Sequence, residues 1–193
     1  MRLFRAILCH NQQGSIVIIC VGRMSEASAI VESETDMTQF DRIHFISNMR
    51  DALKAFEGVE QMLDASGLSG QLRHLLKLRA SQMNGCAYCV GLHTREARQD
   101  GETDERLDYV AVWRDADCYS AAERAVLAWT EALTDLDQTR SLDELHNALT
   151  PHFGEAEIAA MTTQIAMINV WNRLQIASHG RQTQQSEMAS RAA

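Results

Sequence analysis

The stretch SQMNGCAYCVGLHTREA, residues 81–97, places two cysteines and a histidine within a helical pattern. An Asn-Gly dipeptide, typical of a turn and of a helix end, lies directly before them. Cys86, Cys89 and His93 follow at intervals of three and four residues, and residues with this spacing share one face of an α-helix. The stretch therefore predicts a helix that begins near Cys86 and brings two thiols and an imidazole to one small site.

The position of the cysteines favours redox chemistry. They lie in the first turns of the predicted helix, where unpaired backbone N–H groups and the helix dipole favour an anion such as a thiolate. Their spacing also lets the two sulfurs close a disulfide with little rearrangement. The stretch therefore indicates a redox dithiol with a base, His93, beside it.

Two other interpretations of these residues stay open. Free cysteines bury readily, so the pair could be two small core residues. A CxxC motif plus a histidine also supplies three ligands for zinc. A fourth ligand is hard to find, because the chain has no second CxxC or HxxxH pattern and only His74 is near in sequence. We therefore expect no metal at the site.

The rest of the chain also has helical spacing, and we predict an all-α fold, a single-domain helical bundle. Apolar residues recur every three or four positions from Met37 onward, and Pro151 is the only proline. Two capping boxes, SAAE at 120–123 and SLDE at 141–144, predict helix starts. The longest predicted helix follows Gly154. Its apolar stripe is broad enough for a central helix or for one that completes its burial against another subunit.

Composition indicates one globular domain without a polyanionic partner. The chain has 193 residues and a formal net charge of -8 at pH 7, so it lacks the positive surface that nucleic acid or an anionic membrane would require. Five cysteines, an odd and sparse set, argue against a disulfide-stapled secreted domain, and we expect a cytoplasmic protein. The domain is predicted to span residues 37–181. Residues 1–36 are expected to be disordered or outside it, and residues 182–193 to form a polar tail.

Three stretches of the chain resemble the AhpD-like branch of the carboxymuconolactone decarboxylase family. They are LRASQMNGCAYCVGLHTREA at 78–97, AVWRDADCYSAAERAVLAWTEALT at 111–134 and IAMINVWNRLQIA at 165–177. The likeness covers roughly residues 37–177, and NGCxYC with a histidine four residues later is its most specific part. The resemblance implies an AhpD-like helical domain, homo-oligomers that pack helices between subunits, and thiol-dependent reduction of hydroperoxides.

At the matching positions, the resemblance makes Cys89 the thiol that attacks the peroxide, Cys86 the resolving thiol and His93 a member of the proton relay. It implies an external dithiol reductant, thioredoxin-like or lipoyl-type, and no metal, flavin or nicotinamide cofactor. One position departs from the family pattern: His74 lies twelve residues before the first cysteine, where the best-characterised relatives place a relay glutamate. We therefore expect two imidazoles in place of an imidazole steadied by a carboxylate, and a gain in peroxidase activity when His74 is replaced by glutamate.

Two further functions stay open at this point. A lactone decarboxylase would match the family name, although it has no use for a dithiol. A non-enzymatic CxxC module that senses redox state or binds metal would use the same cysteines without turnover.

Overall fold

The chain divides into two compact units, Met1–Gln39 and Phe40–Ala193. The structure, a computed structural model, describes residues 42–137 and 139–178, and the backbone of two short strands in the first unit. The predicted domain limits at residues 36 and 181 lie outside the described residues and stay a prediction.

The two strands form a hairpin that the sequence analysis did not predict. Strand β1, Ala6–His10, pairs antiparallel with strand β2, Ile16–Cys20. The register sets Ala6 opposite Cys20 and His10 opposite Ile16.

The described residues of the second unit form helices joined by turns and loops, with no strand among them, which confirms the all-α prediction. Its helices are α1 Phe45–Asn48, α2 Arg50–Asp64, α3 Gly70–Asn84, α4 Ala87–Gln99, α5 Asp104–Tyr109, α6 Ala121–Asp135, α7 Leu142–Leu149 and α8 Glu155–Ser178, with a 3-10 turn at Val110–Val112 after α5.

Serine side chains begin three of these helices. Ser120 accepts a hydrogen bond from the Glu123 N–H while the Glu123 carboxylate accepts one from the Ser120 N–H, which completes the capping box predicted for α6. Ser141 likewise accepts from the Glu144 N–H at the start of α7. The third serine, Ser69, caps α3. The predicted starts of α6 and α7 are therefore confirmed.

Helix α3 lies between two hydrophobic clusters. Leu72 and Leu76 pack into a cluster completed by Leu68, Ala125, Val126, Trp129, Leu149, Ile158, Met161 and Ile165. Leu75 and Leu78 pack into the other, with Ala97, Leu107, Val110, Trp113, Ala116, Tyr119 and Leu127. Because each buried leucine removes its side chain from water at a gain of about 1.5–3 kcal/mol, both faces hold α3 in place. The C-terminal end of α3, where the predicted site begins, is therefore firmly positioned.

The longest predicted helix is confirmed as α8, which packs against α2, α3, α4 and α6. These contacts are compatible with both roles that its broad apolar stripe allowed, because Ile176 near the end of α8 stays 44% exposed.

A buried carboxylate joins α3 to α6. Glu131 is 2% exposed, and its Oε1 accepts hydrogen bonds from Arg79 Nε at 2.7 Å and Trp113 Nε1 at 2.8 Å. Arg114 Nη2 lies 2.6 Å from the other carboxylate oxygen. Burial alone would raise the pKa of Glu131, but the hydrogen bonds from Arg114, Trp113 and Arg79 outweigh it and lower the pKa to about 2. This carboxylate therefore stays charged and ties the two helices together.

Candidate redox site

A glycine turn connects α3 to α4 and sets the direction of the site. Gly85 has φ 69°, a left-handed conformation that a side chain would disfavour by roughly 1 kcal/mol. The Gly85 N–H donates to the Gln82 carbonyl, and the Cys86 N–H donates to the Ser81 carbonyl at 3.0 Å. These two bonds form a Schellman motif, so the predicted end of α3 at Asn84 is confirmed.

Cys86 is the N-cap of α4. Its Sγ accepts a hydrogen bond from the Cys89 N–H at 3.4 Å, in the position where a serine or aspartate oxygen caps most helices. The backbone N–H groups of the first turn therefore point at this sulfur, as expected for a cysteine at a helix start.

Cys86 and Cys89 form a disulfide, with their Cα atoms 5.3 Å apart. This confirms that the three-residue spacing pairs the two sulfurs, and it favours a redox pair over two small core side chains. The two residues are 2% and 4% exposed, so both cysteines are almost entirely shielded from solvent. In the described part of the chain, the free cysteine is Cys118.

His93 lies one turn after Cys89 on the same face of α4. The side chain is only 9% exposed, and its Nδ1 lies 2.8 Å from Oε2 of Glu96. Such a bond orients the ring and leaves Nε2 as the nitrogen that is available for a second partner.

His74 lies on α3 and is also buried, with a side-chain exposure of 9%. Its Nε2 lies 2.7 Å from Oδ2 of Asp100, and its Nδ1 lies 3.9 Å from Oε2 of Glu96. The expectation of two imidazoles without a steadying carboxylate is wrong, because Glu96 occupies the space between His93 and His74. The structure thus brings His74 close to His93 through a carboxylate that sequence reasoning did not include.

Glu96 is held in its charged form. Partial burial of Glu96 would raise its pKa, but the hydrogen bond from His93 and electrostatic interactions with His93, Lys77 and His74 outweigh burial and lower the pKa. A charged carboxylate therefore lies against Nδ1 of His93.

An amide network fixes the turn before the cysteines against α8. The Asn84 side-chain NH₂ donates to Oδ1 of Asn169 at 3.0 Å and to Oδ1 of Asn172 at 2.9 Å. The Asn172 amide in turn donates to the Ser81 hydroxyl at 3.1 Å, and the Asn169 amide to the Thr134 hydroxyl at 3.2 Å. Since each buried donor has an acceptor, the network rigidifies the start of the site.

Sequence reasoning missed Glu96, Asp100 and the two asparagines of α8. Glu96 could have been found, because it follows His93 by three residues and so shares its helix face. Asp100 carried no such signal, since it meets His74 across a separation of 26 residues.

Three other kinds of feature, a metal site, a cavity and a membrane span, do not involve the dithiol in the described residues. No group of three His, Cys, Asp or Glu residues within residues 42–137 and 139–178 is arranged to hold a metal ion. A cavity of about 360 Å³ in this part of the chain is lined by Glu105, Tyr109, Val112 and residues 115–118 rather than by the dithiol. Among the helices described, none is both long and apolar enough to cross a membrane.

Comparison with known proteins places this site in a family context. The model of the "Carboxymuconolactone decarboxylase family" matches residues 50–132, a range that contains both cysteines and both histidines. An uncharacterized protein of Bacillus subtilis (strain 168), YdfG, is 34% identical over 140 residues, which are 72% of this chain and 95% of YdfG.

Two solved structures share the fold. A protein of unknown function from Agrobacterium tumefaciens, whose assigned name is an antioxidant defence protein of the AhpD type, superposes with a TM-score of 0.67 and 38% identity. The match covers 70% of this chain and 93% of that one. An uncharacterized peroxidase-related protein from Ralstonia eutropha JMP134 with an alkylhydroperoxidase AhpD core has a TM-score of 0.61 and 23% identity, over 69% of this chain and 71% of that one. The Ralstonia match is evidence for the fold alone.

Proposed function

Because the chain belongs to the carboxymuconolactone decarboxylase family, in its AhpD-like branch, we propose that it is a thiol-dependent peroxidase that reduces hydroperoxides through its CxxC dithiol. The observation that carries this proposal is the buried Cys86–Cys89 disulfide at the start of α4, one turn before a histidine bonded to a carboxylate. A disulfide beside a base is the oxidised half of a dithiol cycle.

The cycle begins with the reduced thiols. His93 accepts the proton of Cys89, and the Cys89 thiolate attacks the terminal oxygen of the hydroperoxide. An S–O bond forms while the O–O bond breaks, and the leaving alkoxide takes the proton back from His93 to depart as an alcohol. Cys89 is then a sulfenic acid, oxidised by two electrons.

Cys86 closes the cycle. Its sulfur attacks the sulfenic sulfur, a disulfide forms and water leaves, which yields the pair in the form that the structure contains. An external dithiol, thioredoxin-like or lipoyl-type, must then reduce the disulfide by exchange. The net reaction converts one hydroperoxide and one dithiol into an alcohol, water and an oxidised donor.

Two local effects divide the roles of the cysteines. The N-terminal N–H groups of α4 favour negative charge at Cys86, which accepts the Cys89 N–H. The imidazole, four residues after Cys89, favours charge on Cys89. We assign the attack to Cys89 because an adjacent base also removes its proton and returns it to the leaving group.

The cellular location of the protein and its oligomeric state are parts of the same proposal. A dithiol donor in the cytoplasm can keep Cys86 and Cys89 reduced, and this supports the cytoplasm as the compartment in which the protein acts. Apolar side chains that stay exposed on α1 and α2, among them Ile46 and Met62, support the proposed homo-oligomer. Light scattering in solution tests that assembly.

Peroxide consumption tests the function. The reduced protein is mixed with hydrogen peroxide or an alkyl hydroperoxide, with a thioredoxin system in one arm and a dihydrolipoyl protein in another. We expect catalytic turnover with at least one donor, and none from Cys89→Ser. Formation of one internal disulfide without turnover in any arm would support a redox sensor, and the absence of thiol loss would support the lactone decarboxylase.

A further inference from the structure

Glu96 occupies a position that the proposed cycle does not yet use. Its Oε2 atom lies 2.8 Å from Nδ1 of His93 and 3.9 Å from Nδ1 of His74. His74 in turn reaches Asp100 through Nε2 at 2.7 Å. Two imidazoles and two carboxylates therefore alternate from the buried His93 outward to Asp100, whose side chain is 56% exposed.

We propose that Glu96 is the positioning residue of the site: its carboxylate holds His93 through Nδ1 and is linked to the exposed Asp100 through His74. This inference rests on the proposed function for its catalytic consequence. The arrangement of the four side chains stands on their distances alone.

The first step of the argument concerns the tautomer of His93. A carboxylate accepts hydrogen bonds and cannot donate them, so Nδ1 of His93 must carry the proton that the 2.8 Å contact shares. In a neutral ring this leaves an unprotonated Nε2. Nε2 is therefore the atom that takes the Cys89 proton, and Glu96 then stabilises the resulting imidazolium through the bond that is already formed.

The second step concerns charge. Glu96 lies in direct contact with His93, whereas Cys89 precedes Glu96 by seven residues, about two helical turns. The attraction of Glu96 for the imidazolium therefore exceeds its repulsion of the Cys89 thiolate. The lowered pKa of Glu96 keeps the carboxylate charged. Removal of this charge should therefore disfavour the thiolate–imidazolium pair.

The third step concerns the separation between Glu96 and His74. Nδ1 of His74 is buried and has no hydrogen-bond partner among the described residues. A neutral His74 that donates Nε2–H to Asp100 turns the lone pair of Nδ1 toward Glu96, and two acceptors do not approach to bonding distance. A proton on Nδ1 would convert this contact into a hydrogen bond, so a protonated His74 would link Glu96 to Asp100.

Two further charged side chains lie on the helices that form or pack against this group of residues. Lys77 of α3 contributes positive charge at Glu96. Arg173 of α8, which packs on α3 and α4, is engaged by the Asn169 carbonyl and side chain. The carboxylate in direct contact with His93 is that of Glu96, so the test is directed at Glu96.

The test measures the pH dependence of Cys89 alkylation in the reduced full-length protein. Iodoacetamide reacts with the thiolate, and mass spectrometry follows the Cys89 peptide separately from that of Cys86. Glu96→Gln retains a hydrogen-bond acceptor but carries no charge. We expect this substitution to raise the midpoint pH of Cys89 alkylation by about one unit, which makes alkylation about tenfold slower below that midpoint. Asp100→Asn should shift it in the same direction by less. The matched control is Glu105→Gln, which removes one charge from an exposed glutamate on α5.

The inference is overturned if Glu96→Gln behaves like Glu105→Gln. A second measurement does not depend on any variant folding: nitrogen-15 NMR of the unsubstituted protein should show neutral His93 protonated at Nδ1, and protonation at Nε2 would refute the positioning role. The Glu96 proposal and the peroxidase proposal can fail separately. A shift in the alkylation midpoint without peroxide turnover would support the role of Glu96 and contradict the peroxidase assignment.

Discussion

Asn84 and Asn172 are 88 positions apart in the chain and are joined by a hydrogen bond of 2.9 Å between their side-chain amides. This bond holds the turn that precedes Cys86 against α8. The dithiol is thus positioned by a contact between distant parts of the sequence, although the cysteines themselves are neighbours.

Asn84→Ala should lower the free energy of unfolding by about 2 kcal/mol, because the buried Oδ1 atoms of Asn169 and Asn172 each lose a donor. Urea unfolding at neutral pH measures the change. The matched control is Asn147→Ala on α7, where an exposed asparagine should change stability by no more than about 0.5 kcal/mol. Equal effects of the two substitutions would show that the amide network contributes little.

Cys89→Ser should abolish peroxide consumption, whereas Cys86→Ser should allow one oxidation and then stop at a sulfenic acid. A dimedone-type probe should label Cys86→Ser after peroxide treatment and leave Cys89→Ser unlabelled, since only the attacking thiol becomes a sulfenic acid. Labelling of Cys89→Ser instead would reverse the assigned roles and would mean that the helix N-terminus, rather than His93, selects the nucleophile.

His74→Glu should lower activity, contrary to the gain expected from the sequence. A glutamate at this position would bring a third carboxylate between Glu96 and Asp100, which already flank the histidine, and like charges at close range are unfavourable. We expect a lower melting temperature and a several-fold lower peroxidase kcat/KM. His74→Gln, which can still donate to Asp100, should fold normally, and a rate increase in His74→Glu would contradict the geometry.

Glu131 should make stability depend on pH in the acid range. Its pKa is lowered in the folded protein from 4.5 to about 2, so its contribution is complete above the unfolded value and is lost as pH falls from about 4.5 to 2. The shift corresponds to roughly 3 kcal/mol.

Urea unfolding of the unsubstituted protein and of Glu131→Gln at several pH values isolates the contribution of the Glu131 charge to stability. The difference in their free energies of unfolding should shrink as the pH falls through that window. Glu105→Gln, at an exposed position, should show no such convergence. A difference that is constant with pH would mean that Glu131 contributes only through its shape and packing.

A chain that begins at Met37 should fold, assemble and titrate its thiols like the full chain, because the family match begins only at residue 50. Differential scanning calorimetry compares the two melting temperatures. A decrease of many degrees on truncation would show that residues 1–36 stabilise the helical domain.

Local sequence patterns were sufficient for the helices and for the dithiol. Cys86, Cys89 and His93 share a face because residues three or four positions apart always do so in an α-helix. The caps at Ser120 and Ser141 are local for the same reason, since a side chain reaches only the backbone of the next turn. These features depend on contacts within one or two helical turns, so the amino-acid sequence alone predicts them.

Contacts between distant residues were decided by the tertiary structure. Glu131 meets Arg79 across 52 positions, and His74 meets Asp100 across 26. Such pairs depend on how α3 packs against α6 and α4, and many acidic residues could have served equally well by sequence alone. The placement of Cys86, Cys89 and His93 therefore follows from helical periodicity. The carboxylates around His93 and His74 depend on how whole helices pack, and burial of apolar surface determines that packing without regard to sequence spacing.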